Sequence, residues 1–351
     1  KRMTLSREAG KRIVVMVAED LRPASVLTIQ AFQNAIAVCM ALGGSTNAVI
    51  HLTAIAGRLN IPVYPEIFNA MGAKVPCITD VQPAGKNLVD AFDTAGGIPA
   101  VMQRLGDLID RNVITYTGKK LKTLLSKIKV SDDSVIRKLT DPAMHAPTIS
   151  ILFGNIAPLG AVIKVAAASP HLLQHSGPAF VFDSYEEMLN SIDDENLPVD
   201  ASTVLVLRNA GPKAVPGMPE WGMLPIPKKL RRQGIEDMLR ISDARMSGTS
   251  FGTVILHVAP EAAMGGTFAL IRTGDRITVD IPNRKLHADI SDAELAERKA
   301  GWSAPESLHT RGYPKLFIRE VLQADEGCDF DFLKPRNDAG LLFIEPVVGR
   351  S

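Results

Sequence analysis

The sequence predicts a two-part α/β chain, a helix-rich segment over residues 1–145 followed by a β-rich domain over 146–351. Three observations carry this. The chain has 351 residues, more than the roughly 250–300 at which a single core stops growing. Up to about His145 its apolar residues recur at helical spacing. From about Ala146 the runs shorten, gain β-branched residues and are punctuated by glycine and proline.

In chain order, "SREAGKRIVVMVAEDL" reads as a helix that stops before Pro23. "LTIQAFQNAIAVCMAL" is the next helix, broken at Gly43-Gly44, and "NAVIHLTAIAGRLN" follows. "AFDTAGGIPAVMQRLGDLI" predicts two helical pieces split by glycines. Beyond residue 146, "TISILFGNIAPLGAVIKVAA", "AFVFD", "STVLVLRN", "GTVILHVA" and "KLHADI" read as short strands, at a spacing that suits a barrel or a sandwich. "FALIRTGDRITVDI" predicts a hairpin turning at Gly274-Asp275. The acidic "SYEEMLNSIDDENLPVD" is a solvated helix and loop, and the tail "GYPKLFIREVLQADEGCDFDFL" a helix and then an acidic loop.

Composition removes several function classes. The formal net charge is +1, which gives no electrostatic basis for binding nucleic acid or an anionic membrane. The longest apolar stretch, Asn34 to Gly57, is interrupted by "GGSTN" and reads as buried helices, not a membrane span. Three cysteines, Cys39, Cys77 and Cys328, stand far apart without a CxxC pair. This argues against a disulfide framework or zinc ribbon and favours a reducing compartment, the cytoplasm or an organelle matrix.

Six places have residue types suited to chemistry. "NAGPKAVPGMPEWGMLPIPKKL" is a proline-stiffened loop carrying Glu220, a hard oxygen donor of the kind Mg²⁺ takes. In "ISDARMSGTSFGT", Ser247 is either one of several hydroxyls satisfying a turn or a base presented to a cleft. No GxSxG elbow surrounds it, so a serine hydrolase is a poor reading. In "GGSTN", Ser45 or Thr46 either caps the next helix over an anion, or the glycines simply let two helices pack closely. "GNIAPLGAVIK" offers Asn155 and Lys164. His257, on an apolar strand, is a core histidine or a ligand contact. Cys328 beside its acids is a poor metal signature and reads as structural.

Taken together and in order, "MALGGSTNAVIHLTAIA", "DTAGGIPAV", "GNIAPLGAVIK", "GPKAVPGMPEW", "ISDARMSGTSFGTVILHVAPEAA" and "ADEGCDFDF" resemble the dihydroxyacid and sugar-acid dehydratase family over nearly the whole chain. "PGMPEW", "SDARMSGT" and the tail look most like its sugar-acid (aldonate) branch. The resemblance implies an α/β/α domain, incomplete here, followed by a β-barrel-like domain, in a homo-oligomer acting on a small-molecule substrate. It implies a hydro-lyase that converts a 2,3-dihydroxy acid to a 2-keto acid with Mg²⁺ and a [2Fe–2S] cluster. By the same resemblance Ser247 matches the base that takes the C2 proton, and Glu220 a Mg²⁺ ligand. Ser45, Thr46, Asn155 and His257 are placed near the cleft as substrate contacts.

The sequence departs from that pattern in three ways. The family's cluster cysteines, and the Asp, Lys and Glu completing its Mg²⁺ site, lie upstream of the region where "KRMTLSREAG" begins. None of the three cysteines here falls in those motifs, so no cluster ligand is assigned. "LVDAFDTAGG" is less aromatic and acidic than the family form, and Leu159 replaces a polar residue. The expectation is the carboxy-terminal part of a dehydratase, without a cluster and with little activity alone. The alternative is a truncated non-catalytic paralogue that pairs with or regulates a complete enzyme. Which sugar acid or dihydroxy acid is bound is not written in these motifs.

Overall fold

In the computed structural model, which describes residues 2–145, 147–220, 224–247 and 251–335, the first half is helical as its periodicity predicts. Its helices are α1 (Arg2–Ala18), α2 (Pro23–Val26), α3 (Ile29–Leu42), α4 (Asn47–Gly57), α5 (Pro65–Gly72), α6 (Val89–Thr94), α7 (Gly97–Leu105) and α8 (Leu121–Leu125). Thr28 caps α3, its Oγ1 accepting from Ala31 N at 3.2 Å. Gly43 closes the helix in the left-handed conformation, and Gly44 N donates back to Cys39 O at 2.9 Å. Phe32, Ile36 and Met40 of α3 are buried with Phe68, Val101 and Leu105 in one core. No described helix is long and apolar enough to cross a membrane.

The second half forms one eight-stranded sheet of order β1-β2-β6-β5-β4-β3-β7-β8. The strands are β1 (Ser150–Leu152), β2 (Gly160–Ile163), β3 (Gln174–Phe182), β4 (Val204–Leu207), β5 (Arg240–Ser242), β6 (Val254–Ala259), β7 (Arg276–Asp280) and β8 (Lys285–Ala288). The middle strands β3, β4, β5 and β6 run parallel, and the flanking pairs antiparallel. The two edges meet. Phe153 donates to Arg284 O at 2.9 Å and accepts from Leu286 N at 2.8 Å, which closes the sheet into a barrel and leaves no free edge there.

Closure explains the composition of the strands. "VLVL" of β4 and "VILHVA" of β6 are buried at every position, because one face lines the barrel and the other is covered. Ile163, Val206, Ile255 and Val279 fill the interior. Outside, Phe182, Leu205, Leu207 and Leu256 pack with Met188 of α9 (Tyr185–Ser191) and Leu230 of α10 (Lys228–Arg232). The halves are joined at β1, where the buried Asn69 of α5 mimics a ladder partner. Its Nδ2 donates to Ile151 O and its Oδ1 accepts from Ile151 N, both at 2.9 Å.

One element differs from expectation. "FALI" is not a strand but the helical turn α11 (Thr267–Leu270), so the hairpin does not turn at Gly274-Asp275. The hairpin that forms is β7–β8, with Asp280 paired to Lys285. A four-residue apolar run fits a buried helical turn as well as a strand. The carboxy-terminal part adds α12 (Asp292–Ala300), α13 (Gly312–Glu320) and a tail that returns to α4.

Candidate functional site

The proline-rich loop and the loop after β5 run side by side, Glu220 forming a parallel bridge with Arg245. Arg245 Nε donates to Met218 O at 2.5 Å, tying the strands of the bridge together. Asn47, the first residue of α4, completes the arrangement from the other half of the chain. Its Nδ2 donates to the Glu220 carboxylate and, at 3.3 Å, to Met246 O, the carbonyl preceding Ser247. One amide therefore fixes both a carboxylate and the backbone of a half-buried serine. Asn47 Oδ1 is buried and meets no hydrogen-bond partner among the described residues.

Buried acids anchor this loop pair on both sides. Asp243 accepts from Ala210 N at 3.0 Å and Ala262 N at 2.9 Å. Glu261 accepts from Lys213 N at 2.8 Å, from Ala214 N at 3.1 Å and from Gln323 Nε2 at 2.6 Å. Burial pushes Asp243 up to about 6. Burial and the neighbouring Asp243 push Glu261 up to about 7, against the hydrogen bonds that favour its charge. Beyond Ser247, the return into β6 is held by a buried ion pair, Arg240 Nη2 to Asp237 Oδ1 at 2.8 Å. Thr253 N and Oγ1 both donate to Asp237 Oδ2, at 2.9 and 2.7 Å. Gly252 has φ +103°, and a Cβ there would lie 2.1 Å from Arg240 Nη2. The described residues on either side of Ser247 are thus held, at Asp243 before it and at Thr253 after it.

The tail closes over the same region. Arg58 at the end of α4 grips Asp329 with two bonds of 2.7 and 2.8 Å, and Cys328 Sγ lies 3.3 Å from Met218 Sδ. Between α4, the proline-rich loop and the tail lies a cavity of about 590 Å³ lined by His51, Arg58, Met218, Arg245 and Cys328. Arg58 is paired with Asp329, which also lines the cavity, so Arg245 is the guanidinium on this wall suited to an anion.

The other sequence candidates lie as follows. Ser45 Oγ accepts from Asn47 N at 3.2 Å, steadying the residue that reaches Glu220. Thr46 is buried and its side chain caps nothing in α4. Asn155 spends both ends of its amide on Ala288, at 2.8 Å each, in the barrel. Lys164 is buried, and its pKa is lowered by burial, opposed by Cys39 and Cys77. His257 is sealed inside β6. Asp243 and Arg245 stand in the "ISDARMSGTS" stretch, and the sequence assigns no role to them or to Asn47 and Glu261. Asp243 and Glu261 carry the one available signal, acids set in otherwise apolar or small-residue runs.

For metals, Glu220 is a hard oxygen donor, and the Asn47 amide that donates to it through Nδ2 keeps a buried Oδ1 with no partner among the described residues, which fits a cation or a donor group of a ligand. The cysteines do not fit an iron–sulfur cluster. Cys39 and Cys77 are buried, their thiols pushed up by burial, Cys39 to about 11. No three His, Cys, Asp or Glu side chains gather to hold a metal among the described residues.

Two family models match, dihydroxy-acid/6-phosphogluconate dehydratase N-terminal over residues 1–124 and C-terminal over 134–328. The L-arabonate dehydratase of Azospirillum brasilense is 48% identical over 95% of this chain and 59% of its own length. The L-arabinonate dehydratase of Rhizobium leguminosarum bv. trifolii is 46% identical over 95% and 58%. The 6-deoxy-6-sulfo-D-gluconate dehydratase of Pseudomonas putida is 46% identical over 98% and 59%. The chain spans about three fifths of the length of the curated relatives it matches.

Proposed function

This chain belongs to the dihydroxy-acid/6-phosphogluconate dehydratase family, and on that premise we propose that it carries the proton-abstracting half of a hydro-lyase site for a 2,3-dihydroxy or sugar acid. The observation that supports the reading most is the Asn47 amide, which joins Glu220 to the Met246 carbonyl just before Ser247 across the two halves of the chain.

In this reading Ser247, as alkoxide, takes the C2 proton of the substrate, and the resulting enol tautomerises to the 2-keto acid once the C3 hydroxyl has left. That proton is weakly acidic while the adjacent carboxylate keeps its full charge. Glu220 and Asn47 Oδ1 would hold a Mg²⁺ ion, which when bound supplies the positive charge that neutralises the substrate carboxylate. Arg245, tethered to Met218 O, keeps a guanidinium on the cavity wall where an acid substrate enters. The bonds at Asp243 and at Asp237–Arg240 hold residues before and after Ser247, which reduces the ordering left to the moment of reaction. Departure of the C3 hydroxide lies outside what these residues do, and the cysteines of this chain offer no cluster to assist it.

The test is exchange of the C2 hydrogen of arabinonate, gluconate and a branched dihydroxy acid with D₂O, Mg²⁺ present and absent, alongside calorimetric Mg²⁺ binding. The reading expects exchange to require Ser247 and Mg²⁺ affinity to require Glu220. Exchange by Ser247→Ala at the rate of the unaltered chain, or unchanged Mg²⁺ binding by Glu220→Gln, overturns it.

A further inference from the structure

His257 occupies a place that costs energy. It lies in the middle of β6 with φ +56°, at the irregularity where the β2–β6 register shifts between Gly160 and Val162. A non-glycine residue in that conformation needs support from its surroundings. The residue is 2% exposed, and neither ring nitrogen meets a hydrogen-bond partner among the described residues. A buried polar group left unpaired is expensive, and here there are two on one ring.

A matching atom stands on the far wall. Asp325, in the tail, also has a buried oxygen, Oδ1, without a partner among the described residues. His257 and Asp325 line the same small cavity of about 10 Å³, whose other walls include Val49, Ile151 and Val162. That volume is close to what one water needs, and both groups required to hold one are present. Burial, Arg245 and His51 lower the His257 pKa to about 3, so the ring is a neutral donor–acceptor at ordinary pH. Burial raises that of Asp325.

We propose that His257 and Asp325 form a buried clasp bridged by a single water, which pins the tail to β6 behind the Ser247 loop. The main chain carries the effect forward, since His257 N donates to Ala244 O at 3.1 Å, three residues before Ser247. Asp325 also lines a larger cavity of about 840 Å³, together with Pro65 and Leu159, which border the small cavity as well. Asp325 therefore stands between the water site and the route by which water reaches it. The clasp makes His257 and Asp325 positioning residues, and it holds whether or not the hydro-lyase reading does.

The experiment pairs a crystal structure resolving ordered water with nitrogen-15 spectra of the histidine rings in the 351-residue chain. The clasp requires density for one water at about 2.7–3.2 Å from a His257 nitrogen and from Asp325 Oδ1. It also requires His257 to remain in one neutral tautomer on acidification from about pH 8 to pH 5. Asp325→Leu removes the acceptor, and the His257 ring resonances then shift and Tm falls by a few degrees. Asp325→Asn retains an acceptor oxygen and leaves the resonances near those of the unaltered chain. A dry cavity, a His257 that protonates near pH 6.5, or ring resonances unmoved by Asp325→Leu overturns the proposal.

Discussion

Asn47 and Glu220 are hydrogen-bonded across 173 residues of sequence. The same amide reaches Met246 O, so a single side chain from the helical half sets the spacing between a carboxylate and a serine on the barrel half. Replacing it tests whether that spacing matters. Asn47→Ala removes both bonds and the Oδ1 donor and should weaken Mg²⁺ binding at least about tenfold, since one charge-assisted hydrogen bond alone is worth about 1.5–3 kcal/mol. Asn47→Asp sets a second negative charge against Glu220 and, without cation, should destabilise the fold more than Ala does. Titration calorimetry and urea unfolding, each with and without Mg²⁺, separate the two effects.

The return from the Ser247 loop depends on having no side chain at residue 252. Gly252→Ala forces a Cβ to within 2.1 Å of Arg240 Nη2 and keeps φ at +103°. The expected loss is more than about 2 kcal/mol, because it disturbs a buried Arg–Asp pair as well as straining the backbone. Gly217→Ala is the control. Its φ is also positive, +83°, but no atom lies within 4 Å of the added Cβ, so only the conformational term of about 1 kcal/mol should appear. Equal losses in urea unfolding would mean that the ion pair tolerates the intrusion.

Glu261 makes stability depend on pH with a definite sign. Its ordinary value of 4.5 is pushed up to about 7 in the fold. Between those values the folded carboxyl keeps a proton that the unfolded chain has released. Its contribution is therefore full below pH 4.5 and is lost as pH rises to about 7, by roughly 3 kcal/mol. His257, lowered from 6.5 to about 3, works the other way and removes stability as pH falls through that range. The wild-type profile alone mixes the two, so the measurement is the difference between wild type and Glu261→Gln. That difference should grow in favour of the glutamine variant from pH 4.5 to 7. A flat difference would place the proton elsewhere, Asp243 being the neighbouring acid.

The helical half was legible because α3 and α4 carry a repeated apolar period between recognisable stops, and the parallel strands because β4 and β6 are continuous apolar runs. "FALI" misled because four apolar residues have no period long enough to tell a strand from a helical turn. Ser247 and Glu220 could be picked out as residue types in constrained loops, and family resemblance gave them roles. The residue joining them could not. Asn47 sits in a motif that was noticed, beside Ser45 and Thr46, yet its partners lie in distant loops, and a contact across 173 residues leaves no local signature. Asn155 shows the converse. A polar residue in a conspicuous loop is used on both faces to continue a barrel ladder at Ala288. Buried amides serve backbone pairing more often than chemistry, and only the neighbours reveal which.

Ser247 allows binding and proton transfer to be tested separately. If its hydroxyl takes the C2 proton, Ser247→Ala leaves the Glu220 carboxylate, the Asn47 amide and the arginine-lined cavity in place. Affinity for an aldonate in the presence of Mg²⁺ should change little. Exchange of the C2 hydrogen with D₂O should fall by about 10²–10⁴-fold, the usual contribution of a positioned base. Glu220→Gln should do the reverse in part, weakening Mg²⁺-dependent aldonate binding at least as much as exchange. Calorimetry and proton NMR of the C2 signal read the two quantities independently. A Ser247→Ala variant that exchanges C2 hydrogen at the wild-type rate would return Ser247 to the role of a turn residue, and leave Glu220 and Asn47 as a binding site without its base.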